Sequence, residues 1–136
     1  GIMAHMSNTP NISGLGQVAL TVSNLNRSIA FYKDVVGLPF LFQAGPTLAF
    51  FKCGHTRLML GMPENDFKPG SSTALYFKVD DIHSAAAALE ANGVTFSDEF
   101  KPHLIAKMAD HDLWMCFFYD PDQHLLALMA EMPQNI

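Results

Sequence analysis

One order of residue patterns occurs twice along the chain, and that repeat limits the fold more than any other feature. Residues 17–22 alternate, with Val18, Leu20 and Val22 on one face of a half-buried strand. Asn24 follows as a helix cap, and Leu25, Ile29, Tyr32 and Val36 form a stripe along one side of a helix that Gly37 ends. Strand-like pieces at 38–43, 47–52 and 57–60 come next, the last two separated by the tight-turn signal Gly54-His55. The same order then returns. Residues 73–79 alternate, Asp80 or Asp81 caps, Ile82, Ala86 and Leu89 form the stripe, Gly93 stops it, and strands are predicted at 94–100, 113–119 and 125–130. Thr21-Val-Ser-Asn-Leu25 falls on Lys78-Val-Asp-Asp-Ile82 at an offset of 57, Gly37 on Gly93 at 56, and Leu58-Met-Leu60 on Leu126-Ala-Leu128 at 68. The reading is an internal duplication of strand, helix and three strands. The first module is expected at about 15–62, a Pro/Gly/Ser linker at 63–71 and the second module at about 72–132, all within one domain over 11–136.

Composition narrows the function classes. Eight basic residues stand against 13 acidic ones, a formal charge of −5, and the cations are scattered singly, which gives no electrostatic footprint for nucleic acid. No apolar run approaches the ~20 residues needed to cross a bilayer. Residues 1–10 read as an expression scar and a disordered N-terminus, without the basic start and apolar stretch of a signal peptide. Cys53 and Cys116 sit singly in apolar segments, a spacing that fits neither a disulfide framework nor a zinc knuckle, so two reduced thiols and a cytoplasmic location are expected.

The phrase Gln17-Val-Ala-Leu-Thr-Val-Ser-Asn-Leu-Asn-Arg-Ser-Ile-Ala-Phe-Tyr-Lys-Asp-Val-Val-Gly-Leu38 closely resembles the opening of the glyoxalase, bleomycin-resistance and extradiol-dioxygenase proteins, the vicinal oxygen chelate superfamily. Phe118-Tyr-Asp-Pro-Asp122 before the closing strand resembles the same family, and the likeness spans about Ile12 to Met132. It implies an α+β fold of two βαβββ modules with curved mixed sheets enclosing a ligand cavity, and a likeness to homodimers. Members of such a family differ widely in chemistry, so the resemblance carries fold further than function.

Strand parity separates the two sheet faces. The apolar rows Val18, Leu20, Val22; Leu58, Leu60; Leu75, Phe77, Val79; and Leu126, Leu128 belong under the helices. The opposite rows then line the concave side: Gln17, Ala19, Thr21; Arg57, Met59; Ala74, Tyr76, Lys78; and Leu125, Ala127, Met129. A two-residue turn at Gly54-His55 adds Phe50 and Lys52. Small, aromatic, thioether and cationic groups together suit a small organic, even anionic, molecule better than a dry core. The expected ligand-binding set is Gln17, Phe50, Arg57, Met59, Ala74, Tyr76, Lys78, Trp114, Ala127 and Met129. The plainer alternative is that these rows pack on each other or on a dimer partner.

In the metal-dependent members that the chain resembles, the first and last strand of each half supply one ligand each, usually His or Gln, Glu, His and Glu. Those positions fall on Gln17, Met59, Ala74 and Ala127, so the resemblance implies a dismantled metal site and no cofactor is expected. A divalent cation would have to use displaced donors such as Gln17, His103 and Glu131. His55 and His124 are expected as solvent-exposed polar groups at the two hairpin turns, His83 as a surface residue, and His103 and His111 at the base of a hairpin tip over 104–110. The favoured function is a metal-independent small-molecule binding protein. The competing readings are a glyoxalase-like lyase or dioxygenase with a displaced metal, a metal-free isomerase using Tyr76 or Lys78 as acid or base, and an apolar face that serves dimerisation.

Overall fold

The computed structural model describes residues 11, 14–63 and 74–134; the expected scar at 1–10 and the linker residues 64–71 lie outside the described residues. The first module runs β1 (Gln17–Thr21), α1 (Leu25–Ala30), β2 (Phe40–Ala44), β3 (Leu48–Cys53) and β4 (Thr56–Gly61). The second runs β5 (Ala74–Lys78), α2 (Ile82–Ala91), β6 (His103–Lys107), β7 (Asp112–Tyr119) and β8 (Leu125–Met132). Each module forms a four-stranded mixed sheet, ordered β1-β4-β3-β2 and β5-β8-β7-β6, in which the first and last strands pair in parallel and the rest are antiparallel. The duplication extends to register. Gln17 pairs with Arg57 and Ala19 with Met59, while their counterparts Ala74 and Tyr76 pair with Leu125 and Ala127.

Helix starts follow the cap chemistry. The Asn24 side chain accepts the Arg27 N–H at 3.0 Å, and Asp81 accepts the N–H groups of His83 and Ser84 at 2.9 and 3.2 Å. Those two backbone donors hold the Asp81 carboxyl below its ordinary pKa. Past Ala30 the first helix widens into a π-type turn over Phe31–Val36, whose Tyr32 carbonyl accepts the N–H groups of both Gly37 and Leu38. Gly37 closes it at φ 85°, a left-handed angle that costs glycine little.

The core lies between the helices and the helix-facing side of each sheet. Leu20, Val22, Leu58, Leu60, Leu126 and Leu128 are buried there with Leu25, Tyr32, Ile82, Ala86 and Leu89, and Leu75, Phe77 and Val79 pack against them. This is the face that alternation assigns to the core.

A buried polar network ties the modules together. The Tyr32 hydroxyl donates to Asp120 Oδ2 at 2.7 Å, His124 Nδ1 lies 2.8 Å from that same oxygen, and Asp120 Oδ1 accepts the N–H groups of Asp122 and His124 at 2.8 Å each. Asp122 in turn accepts from Ser23 N at 3.1 Å, from the Ser23 hydroxyl, and from Arg27 at 3.0 Å. Beside it Phe31 meets Phe118, and Asn92 donates to the Val35 carbonyl at 3.1 Å. No buried side-chain polar atom among the described residues lacks a partner.

Two expectations are corrected. The strand predicted at 94–100 is a loop in which Val94 and Phe96 cover the core and residues 98–100 turn; the strand is β6, four residues beyond Glu99 at its start. Alternation misleads there because Val94 and Phe96 are half-buried against the core without strand pairing, whereas a register shift between Leu104 and Ala106 breaks the alternation of the real strand. Residues 104–107 are therefore strand and not part of a hairpin tip. His124 is only 3% exposed and paired to Asp120, because the turn before β8 folds inward onto α1 and does not project into solvent.

Candidate functional site

The concave side of the first sheet carries two parallel rows. Across the ladder, Gln17 on β1 pairs with Arg57 on β4, which pairs with Lys52 on β3. Two residues along each strand, Ala19 pairs with Met59, Met59 with Phe50, and Phe50 with Phe42 on β2. The Gly54-His55 turn positions these rows, with Cys53 paired to Thr56 and Gly54 at φ 61°. Phe42 stacks on Phe50 with ring centroids 4.7 Å apart, and the Arg57 guanidinium lies 5.6 Å over the Phe50 ring, a cation–π geometry. The Gln17 side-chain N–H points at Met59 Sδ, 3.8 Å away.

The second sheet has the matching rows with different chemistry. Ala74 pairs with Leu125 and Leu125 with Tyr119; Tyr76 pairs with Ala127 and Ala127 with Phe117; Lys78 pairs with Met129 and Met129 with Met115. Ala127 is fully buried between Tyr76 and Phe117. Beside β7, Phe100 from the loop before β6 meets Phe117 and Tyr119 at 5.9 and 5.5 Å, and the His103 ring on β6 sits 6.1 Å from Phe117.

Two clefts adjoin these rows. One of about 360 Å³ is lined by Gln17, Lys52, His55, Thr56, Arg57 and Leu41. The other, about 380 Å³, runs between the β1–β4 edge and β5, and its wall takes Arg57, Ala74 and Tyr76 from the concave rows and Val18, Leu58, Leu75 and Phe77 from the helix-facing rows. Arg57 borders both clefts, so among the described residues it is the cation best placed to meet a ligand in either. Of the expected set, the clefts bring together Gln17, Arg57, Ala74 and Tyr76; Phe50 and Met59 stand in the neighbouring row, while Lys78, Ala127 and Met129 lie on the concave side of the second sheet away from both clefts.

Trp114 is placed differently. Pairing of Tyr119 with Leu125 fixes the parity of β7, so Leu113, Met115, Phe117 and Tyr119 face the concave side and Trp114, Cys116 and Phe118 face the helices. The Trp114 ring meets His83 on α2 at 5.2 Å and packs on the core, which corrects the expectation that it lines the cavity. Residues that the sequence reasoning did not single out are Phe42, Phe117 and Tyr119. The aromatic run around 114–119 contained the signal, but both faces are apolar and only the register resolves them.

The positions that would hold a divalent cation do not fit one. Gln17 and Met59 meet each other, and Ala74 and Ala127 offer only methyl groups. Among the described residues no three His, Cys, Asp or Glu side chains converge on a point that could hold a metal ion. His103 and Glu131 are two strands and one row apart on the second sheet, roughly 12 Å from strand spacing and rise, too far to share an ion. Glu131 instead approaches His111 Nε2 at 3.9 Å, and His103 Nδ1 lies 2.7 Å from the Lys101 carbonyl. Neither thiol is an activated nucleophile: burial raises the Cys53 pKa and pushes that of Cys116 up to about 11.

Two βαβββ modules with open concave sheets define the class, and the comparisons agree. The profile of the Glyoxalase/Bleomycin resistance protein/Dioxygenase superfamily matches residues 14–128, and the chain belongs to that superfamily. It is 31% identical over 123 residues to a metallothiol transferase FosB of Staphylococcus epidermidis, an alignment covering 86% of this chain and 81% of that one. Among solved structures, a lactoylglutathione lyase from Agrobacterium tumefaciens superposes with a TM-score of 0.70 at 21% identity, covering 88% of this chain and 94% of the other. TnmS3, an antibiotic binding protein from a Streptomyces species, superposes with a TM-score of 0.69 at 22% identity, covering 93% and 100%. No helix among the described residues is long and apolar enough to cross a membrane.

Proposed function

We propose that this chain is a metal-independent small-molecule binding protein of the superfamily, its ligand held on the concave side of the sheets. The observation that carries this reading is the donor set: the four ligand positions carry Gln17, Met59, Ala74 and Ala127, while the scaffold and the mixed polar and aromatic lining around them are kept. A carboxamide, a thioether and two methyl groups give no hard cation a site, yet Arg57, Tyr76 and Phe50 still offer what an organic ligand needs. Tyr76 or Lys78 as the acid or base of an isomerase has no partner to support it among the described residues, so binding is the stronger reading.

The same reading calls for two copies. Phe42, Tyr76 and Tyr119 on the concave faces and Leu41, Leu104 and Ile105 at the outer strands are exposed in a single chain, a larger apolar display than a monomer usually leaves to water. A second copy laid over these faces turns open clefts into an enclosed cavity. The test is a thermal-shift screen of aromatic metabolites and antibiotics in the presence of chelator. A ligand at a hundred times its dissociation constant adds roughly 2.7 kcal/mol of stability. Hits that persist in chelator support the reading; hits that need added metal refute it.

A further inference from the structure

Lys52 and Arg57 are direct cross-strand partners on β3 and β4. Like charges placed opposite each other in an antiparallel pair destabilise it. Among the described residues nothing relieves them: β1, β2, β3 and β4 carry no Asp or Glu, and neither cation is in an ion pair there. The chain as a whole has five more acidic than basic residues, so this vacancy of acids is local. Nor does the scaffold require the charges. The second sheet repeats the same register, and its matching row is Ala74, Leu125 and Tyr119, uncharged throughout.

From this we infer that the concave face of the first sheet is built to bind an aromatic carboxylate, its anionic head between Arg57 and Lys52 and its flat body against the exposed Phe42 and the edge of Phe50. The inference rests on the binding function proposed above and names its ligand class. The row that Gln17, Arg57 and Lys52 form supplies an amide N–H, a guanidinium fork and an ammonium, all donors. The adjacent row of Ala19, Met59, Phe50 and Phe42 is apolar and aromatic, and lies two residues along the strands, roughly 7 Å away. That separation suits a carboxylate on a ring system longer than a single benzene ring. Phe50 already holds the guanidinium over its face, so Arg57 is oriented before the ligand arrives. Binding an anion there also removes the Lys52–Arg57 repulsion.

The probes are 2-naphthoate, its neutral counterpart 2-naphthamide, and the saturated decahydro-2-naphthoate, titrated by calorimetry into the full chain in chelator. The acid is expected to bind about tenfold or more tightly than the amide, the scale of one charge-assisted hydrogen bond, and more tightly than the saturated acid. Arg57→Gln should erase the preference for acid over amide. Lys52→Gln should weaken the acid and raise the melting temperature of the ligand-free protein, because it relieves the repulsion; a purely structural lysine would do neither. Both side chains are exposed, so the variants are expected to fold, and circular dichroism checks this. Equal binding of acid and amide, or unchanged acid binding by Arg57→Gln, overturns the anion assignment and leaves the binding function standing. No binding of any probe at millimolar concentration also overturns the inference, while the chelator screen separately decides the function beneath it.

Discussion

Replacing Tyr32 by Phe removes a single buried hydroxyl and nothing else from the joint between the modules. In the native protein that hydroxyl donates to Asp120 Oδ2 at 2.7 Å, and the ring packs against Phe31 and Phe51 at 5.2 and 6.1 Å. The ring contacts survive the substitution, and Asp120 keeps His124 and two backbone N–H donors. The loss is therefore one hydrogen bond to a charged acceptor, worth about 1.5–3 kcal/mol. For a chain of this length a loss near 2 kcal/mol lowers the melting temperature by roughly 6–10 °C. The pH dependence separates this from a packing defect. Burial and the neighbouring Asp120 raise the Tyr32 pKa far above its ordinary value of 10.0. A group whose folded pKa is raised stabilises fully below the unfolded value and loses that contribution as pH climbs toward the folded one. Wild-type stability should thus decline above about pH 10 by roughly 1.4 kcal/mol per pH unit from this residue. The variant should show a shallower decline. Urea unfolding at pH 7, 9 and 10.5 measures both effects. A variant as stable as wild type at pH 7, with an unchanged alkaline slope, refutes the network as a joint between modules.

Asp122→Ala should destabilise by about 1–3 kcal/mol, because it removes the buried acceptor shared by Ser23, Arg27 and Ser28, although water can replace it at the exposed Ser23 and Arg27; urea unfolding gives the number. Cys53 should react with a thiol reagent under native conditions well before Cys116, which is buried and whose pKa is pushed up to about 11; equal rates would contradict the burial. Asp81→Ala should destabilise at neutral pH with the difference vanishing on acidification, since a depressed carboxyl pKa stabilises above its unfolded value and is lost as pH falls through the folded one. Sedimentation should show a dimer that Phe42→Lys or Tyr119→Lys weakens, both being exposed apolar side chains of the concave faces.

The repeat was readable because both halves obey local rules: period-two strands, side-chain caps, a glycine stop, and a two-residue turn that sets register without long-range information. Register in turn placed Gln17, Arg57 and Lys52 in one row, so the cationic part of the site was within reach of sequence reasoning. What was not within reach depended on contacts distant in sequence. Residues 120–124 carry the polar composition of an exposed turn, and only the approach of α1 turns Asp120, Asp122 and His124 into a buried joint, with Tyr32 88 positions from Asp120. The face of Trp114 was undetermined because residues on both sides of β7 are apolar, and pairing with β8 alone decides it. Strand β6 was missed because its register shift imitates a loop, whereas the loop before it imitates a strand. The π-type turn at Phe31–Val36, which carries Tyr32 toward its distant acceptor, has no composition signal.

The central claim, a superfamily scaffold that binds without the metal, is tested most directly by elemental analysis. Protein purified without chelator and then dialysed against zinc, nickel, manganese or iron(II) should carry far less than one equivalent per chain, with its melting temperature unmoved by any of them. One equivalent of metal that raises the melting temperature, and that is lost in Gln17→Ala or His103→Ala, would contradict the account.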